Sequence, residues 1–278
     1  MNTMTTAEHR GYQLICNSTG AMMVIACDQR GGMRTLLAPT SEAQAAITNE
    51  ILGNTKYDIT RYLAAEAGCV LVDPICAIPG LIDEKILSRD TGLLIGLDAS
   101  GWETTPEGYR ISTMVEGVTA RKVREWGATG GKIMIYLRPD RPDANTRNLA
   151  TLRTVIQDFA QEDLLLVVEF LTYPLENESR EAYTRLLPEL IPAGCQACIE
   201  QGAKVLKIPY PGADEACARV TTLCGDIPWA VLSAGVDHAT FLPQVESALK
   251  NGASGVIAGR SLWKDCISLD RNVSKEKL

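Results

Sequence analysis

The sequence predicts a single-domain (β/α)8 barrel, and three observations carry that prediction. Eight short apolar runs recur along the chain, segments with helical periodicity separate them, and the length of 278 residues is close to the ~250 typical of this architecture. Short strands alternating with helices imply parallel pairing, because parallel neighbours need a long crossover connection. The hydrophobic content of 46% shows no break along the chain, so one α/β domain over residues 1–278 is expected. It would carry a short polar N-terminal segment and a C-terminal tail.

In chain order the runs are "MMVIACD" (22–28), "CVLVD" (69–73), "LLIGLD" (93–98), "KIMIYL" (132–137), "LLLVVEF" (164–170), "KVLKIP" (204–209), "WAVLSAG" (229–235) and "SGVIAG" (254–259). Helical patterns lie between them, among them "SEAQAAITNEIL" (41–52), with Ser41 as its predicted N-cap, and "ANTRNLATLRTVIQDFAQE" (144–162). The polar stretch "SLDRNVSKEKL" is predicted to fray at the C-terminus. A rival open doubly wound sheet would place G-x-G-x-x-G after an early strand, and "CDQRGGM" is not that pattern. The TIM-barrel reading is therefore preferred.

A net charge of −7 disfavours nucleic acid and anionic membrane as partners, so an anionic ligand must be held by a local site. The nine cysteines are scattered through apolar segments, as reduced thiols in a cytoplasmic protein would be. One close pair, Cys195 and Cys198, has C-x-x-C spacing, but without a second pair it makes a weak zinc or redox signal. With only His9 and His238, a histidine-built metal site is not expected. No run reaches membrane-spanning length, and the N-terminus lacks the apolar core of a signal peptide, which again points to the cytoplasm. Self-association into a homo-oligomer is expected.

In such a barrel, function gathers at the C-terminal ends of the strands. Those ends carry Asp28, Asp73, Asp98, Glu169, Lys207, Ser233, Gly259 and Arg260, with Lys132 nearer the start of its strand. Side chains alternate across a strand, so Leu206 and Ile208 would face the helices while Val205 and Lys207 face the lumen. The same rule turns Lys132 and Glu169 inward.

Desolvation and a nearby like charge both disfavour an ammonium, and an uncharged amine adds to carbonyls to form a Schiff base. Glu169 would then exchange protons with the carbinolamine and with the hydroxyl whose carbon departs. The iminium is the electron sink, so neither metal nor cofactor is required. The structural alternative is a lysine snorkelling to solvent with Glu169 as its ion-pair partner. After strands seven and eight, Ser233, Ala234, Gly235, Gly259 and Arg260 form small-residue turns suited to a phosphate cradle, although ordinary tight turns would look the same. After strand one, Asp28 and Gln29 suit sugar hydroxyls and Arg30 a second anion, while a helix N-cap would also explain Asp28. Asp73, before Pro74, suits a turn.

The motifs "ACDQRGGMR", "GCVLVDP", "GGKIMIYLRPD", "VVEFLTYP", "KVLKIPYPG", "PWAVLSAGVD" and "GASGVIAGRSLW" occur in an order that resembles the class I tagatose-1,6-bisphosphate aldolases and the related sulfofructose-1-phosphate aldolases. The resemblance runs from about residue 20 to 265. It implies a barrel enzyme that cleaves a ketose 1-phosphate to dihydroxyacetone phosphate and an aldehyde. It also implies Lys207 as Schiff-base lysine, Glu169 as acid/base and Lys132 as second lysine. Asp28 and Gln29 would contact substrate hydroxyls, with the two turns holding phosphate. The chain departs from the family at Lys207-Ile208-Pro209, where Lys-Val-Glu is usual, and in a shorter segment before "PWAVLSAG". Glu176 and Glu178, after strand five, argue against a second strongly anionic group there. A transaldolase or dehydratase using the same lysine, and a phosphosugar-binding barrel without turnover, are the alternatives.

Overall fold

The structure, a computed structural model, describes residues 3–278. Eight parallel strands close into a barrel: β1 (Met22–Cys27), β2 (Cys69–Val72), β3 (Gly92–Gly96), β4 (Gly130–Tyr136), β5 (Leu165–Leu171), β6 (Leu206–Pro209), β7 (Trp229–Leu232) and β8 (Gly255–Ala258). Each pairs with the next in sequence, and β8 returns to β1 through Met22 opposite Gly255. The fold is a (β/α)8 barrel, as predicted. The alternation of side chains holds as well. Leu206, Ile208, Val168 and Phe170 belong to the core between barrel and helices, whereas Val205, Val167, Val24 and Leu71 belong to a separate cluster inside the barrel.

Two local expectations, at Ser41 and at the C-terminal tail, are corrected. Ser41 is not a cap: Thr40 caps a short helix, Ser41–Ala45, by accepting from Ala43 N. Thr48 then caps the long helix Asn49–Leu63, so the pattern read as one helix is two. The polar N-terminal segment is a helix, Thr6–Leu14, whose Thr5 and Glu8 form a capping box. It closes the bottom of the barrel, with Ile15 in the lumen cluster and Glu8 paired to Lys204 Nζ at 2.6 Å. The C-terminal tail also folds, as helix Arg271–Lys277, held by Arg271 donating to Asp58 at 2.6 and 2.8 Å. Sequence periodicity under-reports such short polar helices because tertiary partners stabilise them rather than an apolar stripe.

Helix packing on the barrel leaves no room at Gly131, on the outer face of β4. A Cβ there would lie 2.4 Å from Phe159 Cζ, and Phe159 is itself buried in the helix Pro142–Gln161. Gly131→Ala is expected to cost about 1–3 kcal/mol, read as a lowered denaturation midpoint. None of the described helices is long and apolar enough to cross a membrane.

Candidate active site

The strand ends converge on one ion-pair network. Glu169 on β5 and Lys207 on β6 are register partners, so their side chains meet across the lumen face, with Lys207 Nζ 2.9 Å from Glu169 Oε2. Lys132 lies lower on its strand, level with Gly96 and Val167. Its long stem carries the ammonium up to Asp28 at 2.8 Å, Asp98 at 2.6 Å and Glu169 at 3.3 Å. All of these groups except Asp28 and Asp98 are buried, and those two are half-buried.

This arrangement changes the expected electrostatics. The two lysines are not left to repel one another, because Glu169 lies between them. Burial works against the Lys132 ammonium, yet Asp28, Asp98 and Glu169 together hold its pKa well above the usual lysine value. Burial likewise opposes the Asp28 carboxylate, but Lys132 and then Lys207 and Lys56 keep it below the usual carboxylate range. Asp98 is pushed upward, first by burial and then, against the pull of Lys132, by its neighbours Asp28 and Glu169.

Lys56, fully buried on the helix Asn49–Leu63, fixes the turn that carries Asp28. Its amine donates to Cys27 O at 2.6 Å and Gln29 O at 2.8 Å and pairs with Asp73 Oδ2 at 2.7 Å. Asp73 is thus a structural residue, its Oδ1 also accepting from Ile75 N and Cys76 N in the turn expected before Pro74. Gln29 Nε2 donates to Asp28 Oδ1 at 3.0 Å, and its buried Oε1 has no protein partner. Arg30 differs from expectation. Its guanidinium ties Ser100 Oγ, Asp98 O and Asp73 together, which leaves it a strut along the cleft wall rather than an open anion receptor.

On the far side of the mouth, the β7 and β8 turns meet as expected. Ala234 and Gly235 take left-handed conformations, with φ of 49° and 78°. A Cβ at Gly235 would lie 3.0 Å from Arg260 Cζ, so only glycine lets the guanidinium lie over the turn. Gly259 is equally constrained, since its Cβ would meet Ala26 O at 2.5 Å. Gly259 N donates to Ser233 Oγ at 3.5 Å, which ties the two turns together.

A cleft of about 280 Å³ joins Ser233, Ala234, Gly235, Gly259 and Arg260 to Lys207 and Glu169. A neighbouring arm of about 440 Å³ brings Asp28, Asp98 and Lys132 to the same Glu169 and Lys207. Every strand-end and turn residue that the sequence offers for the site lines one arm or both, except Asp73. Asp98 ends an apolar run just as Asp28 does, and the two share Lys132 Nζ, at 2.6 and 2.8 Å. Alternation along "KIMIYL" puts Tyr136 on the face of Lys132, but the sequence carries no signal for Lys56, which lies mid-helix, or for Arg110 and Trp102 around the cleft. Cys195 and Cys198 are buried between helices, and burial pushes both thiols up, which suits packing rather than metal binding or redox chemistry. Among the described residues no group of three or more His, Cys, Asp or Glu is placed to hold a metal ion.

Chemically, the site offers a lysine with one carboxylate at hydrogen-bonding distance, a second lysine held charged, and an uncompensated guanidinium beside a tight turn. The chain is 25% identical to the tagatose 1,6-diphosphate aldolase of Listeria monocytogenes serotype 4a (strain HCC23), over 97% of this chain and 85% of that protein. It is also 25% identical to tagatose 1,6-diphosphate aldolase 1 of Streptococcus pyogenes serotype M1, over 93% of this chain and 85% of that protein. Among solved structures, the fructose-bisphosphate aldolase from Slackia heliotrinireducens aligns with a TM-score of 0.68 at 18% identity, over 98% of this chain and 85% of that one. An archaeal fructose 1,6-bisphosphate aldolase aligns at 0.64 and 19%, over 96% of each chain. These two share the fold. The profile described as DeoC/LacD family aldolase matches residues 22–265, so the chain belongs to that family and is a carbon–carbon lyase.

Proposed function

We propose that the chain, acting as one catalytic domain, cleaves a ketose 1-phosphate to dihydroxyacetone phosphate and an aldehyde through a Schiff base on Lys207. The observation that carries this reading is the unequal company of the two lysines. Lys132 has three carboxylates within 3.3 Å and is held charged, whereas Lys207 has only Glu169, at 2.9 Å. The lysine with the single, proton-accepting partner is the nucleophile. The other is a fixed positive charge.

Glu169 takes the ammonium proton, and the freed Lys207 amine adds to the C2 carbonyl. The carbinolamine hydroxyl leaves as water with a proton returned by Glu169, forming the iminium. Glu169, again a carboxylate, takes the C4 hydroxyl proton as the C3–C4 bond breaks, releasing the aldehyde and leaving an enamine on Lys207. Protonation at C3 and hydrolysis free dihydroxyacetone phosphate and regenerate the amine. Lys132 and Asp28 orient the hydroxyls, and no step draws on a metal. The nine free thiols fit a reducing, cytoplasmic setting.

The test is a panel of ketose 1-phosphates assayed for dihydroxyacetone phosphate, with and without EDTA. Release from at least one, unchanged by chelator, is expected. Release from none would overturn the reading. The phosphate assignment has its own test: Arg260→Ala is expected to weaken phosphorylated substrates by about 2–5 kcal/mol, and inorganic phosphate to compete with substrate in the wild type. An Arg260→Ala enzyme with unchanged affinity for phosphate esters would remove Arg260 from the cradle.

A further inference from the structure

The β1 ladder ends at Cys27, so Asp28, the next residue, is not fixed by strand pairing. Lys56 fixes it instead. Its ammonium lies 2.6 Å from Cys27 O and 2.8 Å from Gln29 O, the two carbonyls that flank Asp28. It is also 2.7 Å from Asp73 Oδ2, and both side chains are buried. Burying two charges costs about as much as their attraction returns, so stability alone does not account for such a pair.

Asp73 extends the connection to a second turn. Its Oδ1 accepts from Arg30 Nη1 at 3.5 Å, and Arg30 Nη2 donates to Asp98 O at 3.0 Å. One buried carboxylate thus links the backbone around Asp28 to that of Asp98, through a lysine on one side and an arginine on the other. These two residues supply two of the three carboxylates on Lys132, at 2.8 and 2.6 Å. Neither Lys56 nor Asp73 lines the cleft. They stand behind the groups that do.

We infer that Lys56, Asp73 and Arg30 form a positioning chain, which fixes Asp28 and Asp98 on the Lys132 ammonium and so keeps the roles of the two lysines apart. This rests on the aldolase reading proposed above. The physical reason lies in Glu169, which Lys132 approaches at 3.3 Å and Lys207 at 2.9 Å. If Asp28 moves off, Lys132 loses a counter-charge and draws more on Glu169. A carboxylate held by that ammonium is a weaker base, and so a poorer proton acceptor for Lys207. Lys56 and Asp73 touch no reacting atom and act through Asp28.

The test is a double-mutant cycle on kcat, across the wild type, Lys56→Met, Asp28→Asn and the two combined. The substrate is the ketose 1-phosphate that the wild type cleaves fastest. Lys56→Met keeps an apolar stem and removes the donors. It is expected to lower kcat by about 10²-fold, the loss that a misplacement of about 1 Å brings. In the Asp28→Asn background the same change is expected to cost only about twofold, because the carboxylate it positions is already gone and Asp98 keeps its bond to Arg30. A strut that merely supports the fold would cost the same factor in both backgrounds, and that result would overturn the inference. So would a Lys56→Met enzyme with the wild-type kcat. Should Lys56→Met fail to fold, leaving Asp73 short of a partner, the paired change Lys56→Met/Asp73→Asn removes both buried charges and takes its place in the cycle. If that protein does not fold either, the chain is a folding element and the inference falls, with the aldolase reading intact. A wild type that cleaves no ketose 1-phosphate would instead remove the aldolase reading, and this inference with it.

Discussion

Borohydride added with dihydroxyacetone phosphate is expected to inactivate the protein irreversibly and leave a stable adduct on the peptide that carries Lys207. The Schiff base is the species reduced, so the trap marks the lysine that forms it. Lys207→Met is expected to abolish the adduct and to lower cleavage on the order of 10⁴–10⁶-fold. The fold should survive, because methionine is an apolar chain of similar length and Glu169 keeps Lys132 as a partner at 3.3 Å. Circular dichroism and the melting midpoint check that point. An adduct on Lys132 would mean that its three carboxylates do not keep it charged. An adduct on Lys204, whose amine is paired with Glu8 at the opposite end of the barrel, would likewise mean that Lys207 is the wrong lysine. Cleavage persisting in Lys207→Met would assign the chemistry to another residue.

Glu169→Gln is expected to lower kcat by about 10²–10⁴-fold while affecting substrate binding far less. The amide fills the same space and can still hydrogen-bond, but it cannot pass protons to and from the reacting groups as the proposed mechanism requires. Glu169 contacts both ammoniums, so its loss also removes a buried charge from between two like charges. The melting midpoint will fall, and a bound phosphosugar should restore part of it. Kinetics separate the two roles: a proton shuttle lowers kcat with KM little changed, whereas a purely structural partner lowers the folded fraction and leaves the folded enzyme's kcat alone. An unfolded variant that no active-site ligand rescues would make Glu169 a structural residue.

Much of the site was legible because a barrel has strict rules. Alternation along "KVLKIP" separates Leu206 and Ile208 from Lys207, and the structure places them on opposite faces. Strand-end polarity picked out Asp28, Glu169 and Lys207, and the two small-residue turns picked out Ser233, Gly235 and Arg260. The local misreadings also have physical causes. The apolar spacing of residues 41–52 continues across a turn, so nothing in the pattern shows that Thr48 begins a new helix. The polar tail folds because Arg271 finds Asp58, more than two hundred residues away in sequence. Arg30 was expected to await an anion, but its guanidinium is taken by groups after β2 and β3 that no local motif announces.

The sequence by itself determined the barrel, its strand order and the set of lumen-facing groups, because each follows from periodicities of two and 3.6 residues and from the rule that function sits at strand C-termini. Only the tertiary structure decided which lysine is held charged. That depends on how many carboxylates reach each amine, and those carboxylates come from strands far apart in the chain: Asp28 follows β1, Asp98 follows β3 and Glu169 lies in β5. It also decided that Lys56 is a buried strut. Electrostatic character at a buried site is set by distances of a few ångströms between residues remote in sequence, and closure of the barrel sets those distances.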